Sequence, residues 1–187
     1  GAVLKIESAS DVLKRVLKIL DIAEVMGVGE QNFAWNQKDK EISINIETPQ
    51  NYNDRIKVSQ QGLQISLARF DSFLRTLGIP QNLEYQLRTV LYEVLTNICN
   101  YSGLDEFAAI EFTSHADSRG ITLSLKDKGK PFDPTKYDQT TDFASAAQKR
   151  QFRGFGLLMI KKMLNEIQYS RTVDGYNCLT LMKRWRE

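Results

Sequence analysis

Apolar residues recur every three or four positions in four stretches of the chain, a spacing typical of one buried face of an α-helix. The clearest stretch predicts a long central helix whose apolar face is formed by Leu83, Leu87, Val90, Leu91, Val94 and Ile98. The helix before it is predicted by Leu63, Leu67, Phe70, Leu74 and Leu77, and the residues that follow, Gly78 and Pro80, end helices. Residues 12–26 predict a helix near the amino terminus, and Leu157, Ile160, Leu164 and Ile167 predict one near the carboxyl terminus.

Other segments alternate apolar and polar residues, which is the pattern of a half-buried β-strand. Residues 109–114 and 121–126 alternate around a glycine-containing turn and predict a hairpin. Residues 169–173 and 176–183 flank Asp174 and Gly175 and predict a second hairpin. Shorter strands are predicted at 3–6, 41–47 and 55–58. Antiparallel hairpins combined with layered helices predict an α+β sandwich.

Residues 48–54 are polar and turn-prone, and we place a domain boundary there. This boundary divides the chain into an amino-terminal strand-helix-strand extension, residues 1–54, and a main domain, residues 55–187. The main domain carries the more regular patterns, so we expect the functional residues within it.

Composition and charge narrow the classes of function. The 187 residues include 25 basic and 23 acidic side chains, a formal charge of +2, so nothing predicts a nucleic-acid partner. No apolar run is long enough to cross a membrane, and the amino terminus does not resemble a signal peptide. The two cysteines, Cys99 and Cys178, lie in apolar segments and predict reduced thiols in a cytoplasmic protein. His115 is the single histidine, which argues against a histidine metal site or a Ser-His-Asp triad.

The central helix carries three polar residues, Glu93, Asn97 and Asn100, on one flank of its apolar stripe. One interpretation is a solvated helix edge without a role. The other is the wall of a cleft, in which an amide oxygen binds Mg²⁺ and a neighbouring carboxylate accepts a proton from a hydroxyl. The helix alone leaves both interpretations open.

The segment from Asp127 to Pro134 follows an apolar strand. An aspartate at such a strand end can accept a hydrogen bond from an exocyclic amine, and Gly129 would allow the backbone to approach a flat ring. The alternative is an ordinary turn, because aspartate, glycine and proline are turn residues in any case.

A third candidate runs from Arg153 through Gly154, Phe155 and Gly156 to Leu157, immediately before an apolar helical pattern. Glycines at a helix amino terminus can expose backbone N–H groups to a phosphate. The dinucleotide-binding pattern is excluded, because its third glycine position is occupied by Met159. Lys149, Arg150 and Arg153 either add charge near phosphates or form a solvated loop. Residues 135–151 are polar and long for a loop, so they predict a functional loop or lid.

In this order the three segments resemble the GHKL ATPase superfamily, and within it the serine kinases that act as anti-sigma factors. Their first glycine box resembles residues 127–134, and their closing strands resemble residues 165–171 and 177–184. The resemblance covers about residues 55–187. It implies a two-layer α/β sandwich of the GHKL (Bergerat) type, in which helices cover one face of a mixed, mostly antiparallel sheet.

The resemblance also implies a role for each matched residue. Asn97 would bind Mg²⁺ at the ATP phosphates, and Glu93 would be the general base for a serine or threonine hydroxyl. Asp127 would bind the adenine amine, with Gly129 near the ring, and Thr180 would contact adenine through water. The remaining nucleotide-binding residues would be Asn100, Arg150, Arg153, Gly154, Phe155, Gly156 and Leu157, with residues 137–150 as the ATP lid.

Such a protein would bind a sigma factor or another regulatory target, phosphorylate a STAS-domain antagonist, and form a homodimer. Residues 3–27 resemble the final strand and helix of a STAS domain, although a private extension is an alternative. Tyr101 replaces a histidine of many relatives, so the role of that imidazole is not expected here. Pro131 replaces a glycine and Arg153 a small residue, and neither of these two changes removes an expected ligand. The competing interpretations are a non-catalytic ATP-binding module and a histidine-kinase catalytic domain.

Overall fold

The protein is described here by a computed structural model, which covers residues 44, 46–136 and 155–186. One compact unit comprises Ile42–Asp138 and Met163–Glu187. The other comprises Gly1–Glu41 and Gln139–Lys162, and of it only residues 155–162 are described. The helix predicted at 12–26 and the strand predicted at 3–6 lie outside the described residues, as does most of the strand predicted at 41–47.

The larger unit is built around a sheet of five strands in the order β1-β2-β3-β5-β4, with every neighbouring pair antiparallel. The strands are β1 (Gln50–Lys57), β2 (Ala109–Ala116), β3 (Gly120–Asp127), β4 (Glu166–Arg171) and β5 (Asn177–Arg184). Its helices are α1 (Gln60–Thr76) and α2 (Gln81–Tyr101), whereas α3 (Phe155–Met163) belongs to the other unit up to Lys162. The predicted α+β class is confirmed, and the described strands contain no parallel pair.

The helices α1 and α2 form where the apolar spacing predicted them. The predicted face of α1 is buried throughout, and α2 buries Leu87, Val90, Leu91, Val94 and Leu95. The Ser59 hydroxyl caps α1 by accepting a hydrogen bond from the Gly62 N–H at 3.0 Å. After α1, Gly78 adopts a left-handed φ of 63°, a conformation that only glycine adopts at little cost.

One face of the sheet packs against these helices and the other stays more exposed, as the alternation predicted. On the packed face β2 buries Ile110 and Phe112, and β3 buries Leu123 and Leu125. The Phe70 ring of α1 contacts Phe112 with their centroids 5.2 Å apart. These side chains form the centre of the core.

Two predicted secondary-structure assignments are wrong. Residues 50–54 are part of β1 rather than a turn. β1 pairs with β2 along the whole length of both strands, so β2 supplies the backbone hydrogen-bond partners of residues 50–54. The last predicted helix ends at Met163, so Leu164 and Ile167 lie beyond it, and Ile167 belongs to β4. The pairing of β4 with β5 decides this, since the Asn165 N–H already donates to the Met182 carbonyl at 2.9 Å. The assignment of residues 1–54 to an extension stays a prediction.

Candidate functional site

Asp127 is the last residue of β3, and its side chain is buried. One carboxylate oxygen, Oδ1, accepts hydrogen bonds from the Gly129 N–H at 2.7 Å and from the Asn177 side-chain amide at 2.9 Å. Among the described residues, none donates to the second oxygen, Oδ2. A carboxylate is an acceptor, so Oδ2 can receive one more N–H or O–H group. The end of β3 therefore carries a hydrogen-bond acceptor held in place, which is what the interpretation of Asp127 as the acceptor for an exocyclic amine requires.

The loop after Asp127 lies against the carboxyl end of α2. The Lys130 N–H donates to the Ser102 carbonyl, directly after the helix, at 2.7 Å. A Cβ atom at Gly129 would collide with the Ser102 side chain, and it would lie 2.8 Å from the Asp127 carboxylate and 3.0 Å from the Ser102 carbonyl. Gly129 thus has a packing role that the sequence did not predict, namely to let this loop close onto α2.

The polar flank of α2 precedes the residue that this loop contacts, Ser102. Asn97 precedes Ser102 by five residues, about 7.5 Å along the helix axis. Glu93 and Asn97 are half-buried and Asn100 is exposed, as expected for residues on one flank of the apolar stripe. Burial raises the pKa of the Glu93 carboxyl above its ordinary value, because a charged group loses hydration there. The structure thus brings the carboxyl end of α2, at Ser102, against the loop that follows Asp127, and a shared site of Asp127 with Glu93 and Asn97 stays a prediction.

Thr180 does not share the face of the sheet that carries Asp127. In the register of β3 and β5, Asp127 pairs with Asn177, and Thr180 pairs with Ser124. Because side chains alternate along a strand, a residue three positions from Asn177 points to the opposite face. On β5 the residues that share the Asp127 face are Asn177, Leu179 and Leu181. The expected contact of Thr180 with adenine through water stays a prediction.

The remaining candidates lie at or near α3. This helix begins at Phe155, so Gly156 and Leu157 occupy its first turn, as the glycine pattern predicted. The other three candidates, Arg150, Arg153 and Gly154, lie outside the described residues, as does the expected lid at 137–150. Their roles stay predictions.

Sequence reasoning missed Asn177, which joins several parts of the site. Its side-chain amide donates to Asp127, and it also lies within hydrogen-bonding distance of the Gly129 carbonyl at 3.2 Å and the Lys130 carbonyl at 3.3 Å. Its carbonyl oxygen accepts from Arg171 at 2.6 Å and from the Tyr169 hydroxyl at 2.8 Å. The one sequence signal was a polar residue between the Asp174-Gly175 turn and an apolar strand.

None of the residues that the structure describes belongs to a helix long and apolar enough to cross a lipid bilayer.

Comparison with known proteins identifies relatives of the chain. The profile of the histidine kinase-like ATPase domain matches residues 61–183, about two thirds of the sequence. The serine/threonine-protein kinase BtrW of Bordetella bronchiseptica is 30% identical over 100 residues, which cover 53% of this chain and 69% of that protein. Both findings agree with the resemblance seen in the sequence.

Two solved structures share the fold. The SiaB-SiaC complex of Pseudomonas aeruginosa contains a chain that matches with a TM-score of 0.56 at 17% identity, over 70% of this chain and 88% of that one. The RsbU and RsbW domains of a Mycobacterium tuberculosis protein match with a TM-score of 0.53 at 12% identity, over 72% of this chain and 32% of that one. At these identities the similarity concerns the fold.

Proposed function

Because the chain belongs to the family of histidine kinase-like ATPase domains, we propose that it is an ATP-dependent protein serine/threonine kinase that acts as an anti-sigma factor. The observation that carries this proposal is the end of the larger unit where buried Asp127 lies beside the carboxyl end of α2, with one carboxylate oxygen to which no described residue donates. That helix carries a carboxylate, Glu93, and an amide, Asn97, on one flank. Phosphoryl transfer requires mainly positioning and charge neutralisation. These groups can supply positioning, and a metal bound at Asn97 would supply the neutralisation.

Asp127 is suited to adenine. Its Oδ2 can accept a hydrogen bond from the exocyclic amine, while its two other hydrogen bonds hold the carboxylate in place. Gly129 keeps the loop close to α2, so that the acceptor stays at the helix end rather than in solvent.

The amide oxygen of Asn97 also fits Mg²⁺, which prefers oxygen ligands and usually keeps several water and phosphate ligands. The described residues contain no group of three or more histidine, cysteine, aspartate or glutamate side chains, so a protein-only metal cage is absent from that part of the chain. Asn97 would supply a single amide oxygen to a metal held mainly by nucleotide phosphates. The metal would neutralise phosphate charge.

Glu93 would act on the partner protein. Its raised pKa makes the carboxylate a better proton acceptor than an exposed glutamate. In the proposed reaction the serine oxygen of the partner bonds to the terminal phosphorus, ADP departs, and the hydroxyl proton passes to Glu93. In α3, Gly156 and Leu157 lie in a first turn whose N–H groups suit a phosphate. The proposed lid at 137–150 and the cations Arg150 and Arg153 would complete the phosphate contacts.

The proposed partners are a STAS-domain antagonist, which receives the phosphate, and a sigma factor or other target, which the protein binds when the antagonist is phosphorylated. BtrW, which is named a serine/threonine-protein kinase, supports the choice of hydroxyl acceptor. We also propose that two copies of this chain form a homodimer.

The test is to incubate the purified chain with Mg-ATP and a STAS protein encoded beside it, and to measure phosphoserine or phosphothreonine by mass spectrometry. We expect transfer by the native chain, loss of at least about a hundredfold in Glu93→Ala, and native rates in Glu84→Ala, a matched change in the first turn of the same helix. Phosphoryl transfer at the native rate by Glu93→Ala would contradict the role of Glu93 as general base. ATP binding without transfer to any STAS protein would favour the non-catalytic module, and an acyl phosphate on a receiver protein would favour a histidine kinase.

The metal assignment has its own test. Asn97→Ala should weaken ATP binding in the presence of Mg²⁺ but not in its absence, measured by calorimetric titration. Asn82→Ala, at the other end of α2, is the matched control and should leave the ATP affinity unchanged both with and without Mg²⁺. Equal affinities for native and Asn97→Ala chains with Mg²⁺ would contradict the assignment.

A further inference from the structure

Asp127 is oriented by a chain of three side chains that the proposed reaction does not itself use. Arg171 donates to the carbonyl oxygen of the Asn177 side chain at 2.6 Å, and the amide nitrogen of Asn177 donates to Asp127 at 2.9 Å. The Tyr169 hydroxyl donates to the same Asn177 oxygen at 2.8 Å. Asn177 and Asp127 are both buried, each with 6% of its surface exposed.

The orientation of the Asn177 amide follows from its partners. Its oxygen faces two donors, and its nitrogen faces three acceptors: Asp127 and the carbonyls of Gly129 and Lys130. If the amide were turned over, donors would face donors and acceptors would face acceptors. Asn177 can therefore present only an N–H group to Asp127.

This arrangement fixes which atom of Asp127 is left for a ligand. Oδ1 accepts from Asn177 and Gly129, which holds the carboxylate in one rotamer, and within the described part of the chain no group donates to Oδ2. Hydrogen bonds in a chain polarise one another, and the cationic guanidinium of Arg171 stands at the start of this one. Arg171 also donates to the Gly129 carbonyl at 3.2 Å, so it holds both the carboxylate and the loop that follows.

We infer that Asn177 and Arg171 are positioning residues that set the choice of nucleobase, by holding Asp127 as an acceptor that takes the amino group of adenine and rejects the carbonyl of guanine. This inference rests on the proposed ATP site. A correctly placed polar group discriminates strongly, because the wrong base would leave two acceptors facing each other. If Asp127 could rotate, a water or its other oxygen could meet either base, and the discrimination would fall.

The test compares affinities for ATP, GTP and inorganic tripolyphosphate, each with Mg²⁺, by calorimetric titration of the full chain. Tripolyphosphate has no base, so it reports phosphate binding separately. We expect the native chain to prefer ATP to GTP. Asn177→Leu and Arg171→Met should each reduce the ATP-to-GTP ratio about tenfold, the loss of one hydrogen bond to a charged group. Tripolyphosphate affinity should not change.

Two further variants separate positioning from folding. Arg171→Lys keeps a cationic donor and should restore much of the ratio that Arg171→Met loses. Arg119→Met removes an arginine paired with Asp117 beyond the other end of β3, and it should leave the ratio unchanged. If Asn177→Leu does not fold, the ATP-to-GTP ratio of Arg171→Met alone tests the inference. Arg171 is exposed, so its replacement should leave the protein folded.

Each outcome bears on a different statement. If Asp127→Asn abolishes the preference for ATP while Asn177→Leu and Arg171→Met keep it, the inference is wrong and the ATP site stands. If the latter two variants weaken all three ligands equally, their role is structural and the inference is wrong. If the native chain binds neither ATP nor tripolyphosphate, the proposed function itself is wrong.

Discussion

Gly129→Ala tests how tightly the loop after β3 is closed onto α2. The added methyl group would meet the Ser102 side chain, with the Asp127 carboxylate at 2.8 Å and the Ser102 carbonyl at 3.0 Å. Two of these obstacles cannot move freely, because the Ser102 carbonyl accepts from Lys130 and the carboxylate accepts from Gly129 and Asn177. The loop must therefore shift away from the helix.

The cost can be worked out from these contacts. Forcing a methyl group into a packed position costs about 1–3 kcal/mol. Weakening the hydrogen bond between Lys130 and Ser102 adds about 1 kcal/mol. We therefore expect Gly129→Ala to lower the free energy of unfolding by about 2–4 kcal/mol, which corresponds to roughly 4–16 °C in Tm for a chain of this size.

The assay is urea and thermal unfolding followed by far-ultraviolet circular dichroism. Gly78→Ala is the matched control: its φ is 63° and no atom lies within 4 Å of the added methyl, so it should cost only the backbone strain, about 1–2 kcal/mol. Adding Ser102→Gly to Gly129→Ala removes one of the colliding groups and should recover part of the loss, which a double-mutant cycle measures. The reasoning is refuted if Gly129→Ala costs no more than Gly78→Ala and shows no coupling to Ser102.

Two other changes test the helix flank and the core. Burial raises the pKa of Glu93, so folding favours its neutral form: this stabilisation is complete below the ordinary value of 4.5 and is lost as the pH rises through the raised value. Glu93→Gln should therefore be more stable than the native chain at neutral pH and lose that advantage below pH 4.5, as urea titrations over a pH series would show; an advantage independent of pH would contradict the burial argument. Phe70→Ala removes a fully buried ring in contact with Tyr52, Phe73 and Phe112, and it should cost about 3–5 kcal/mol in urea unfolding. Phe73→Ala, at a half-buried position of the same cluster, should cost less, and equal costs would contradict the assigned core.

Much of the fold could be predicted from the sequence because it depends on local periodicity. The apolar spacing of α1 and α2 and the alternation of β2, β3 and β5 each lie within a few turns or a few residues of chain. The turn at Gly175, with a φ of 83°, was equally visible as a neighbouring Asp-Gly pair. Residue type and spacing made Glu93, Asn97 and Asp127 candidates, the resemblance assigned their roles, and those roles stay predictions that the family membership supports.

The sequence could not predict the features of the fold that depend on the pairing of distant strands. Residues 50–54 looked like a turn, yet pairing with β2 makes them a strand. The register of β3 and β5 puts Asn177 beside Asp127 and turns Thr180 to the opposite face, although Thr180 is the residue that the resemblance selected. Register depends on backbone hydrogen bonds between segments about 50 residues apart, and a shift of one residue reverses every side chain. Local patterns in the chain therefore predict most helices and strands and select candidate residues, whereas the pairing of distant strands sets which of those residues lie side by side.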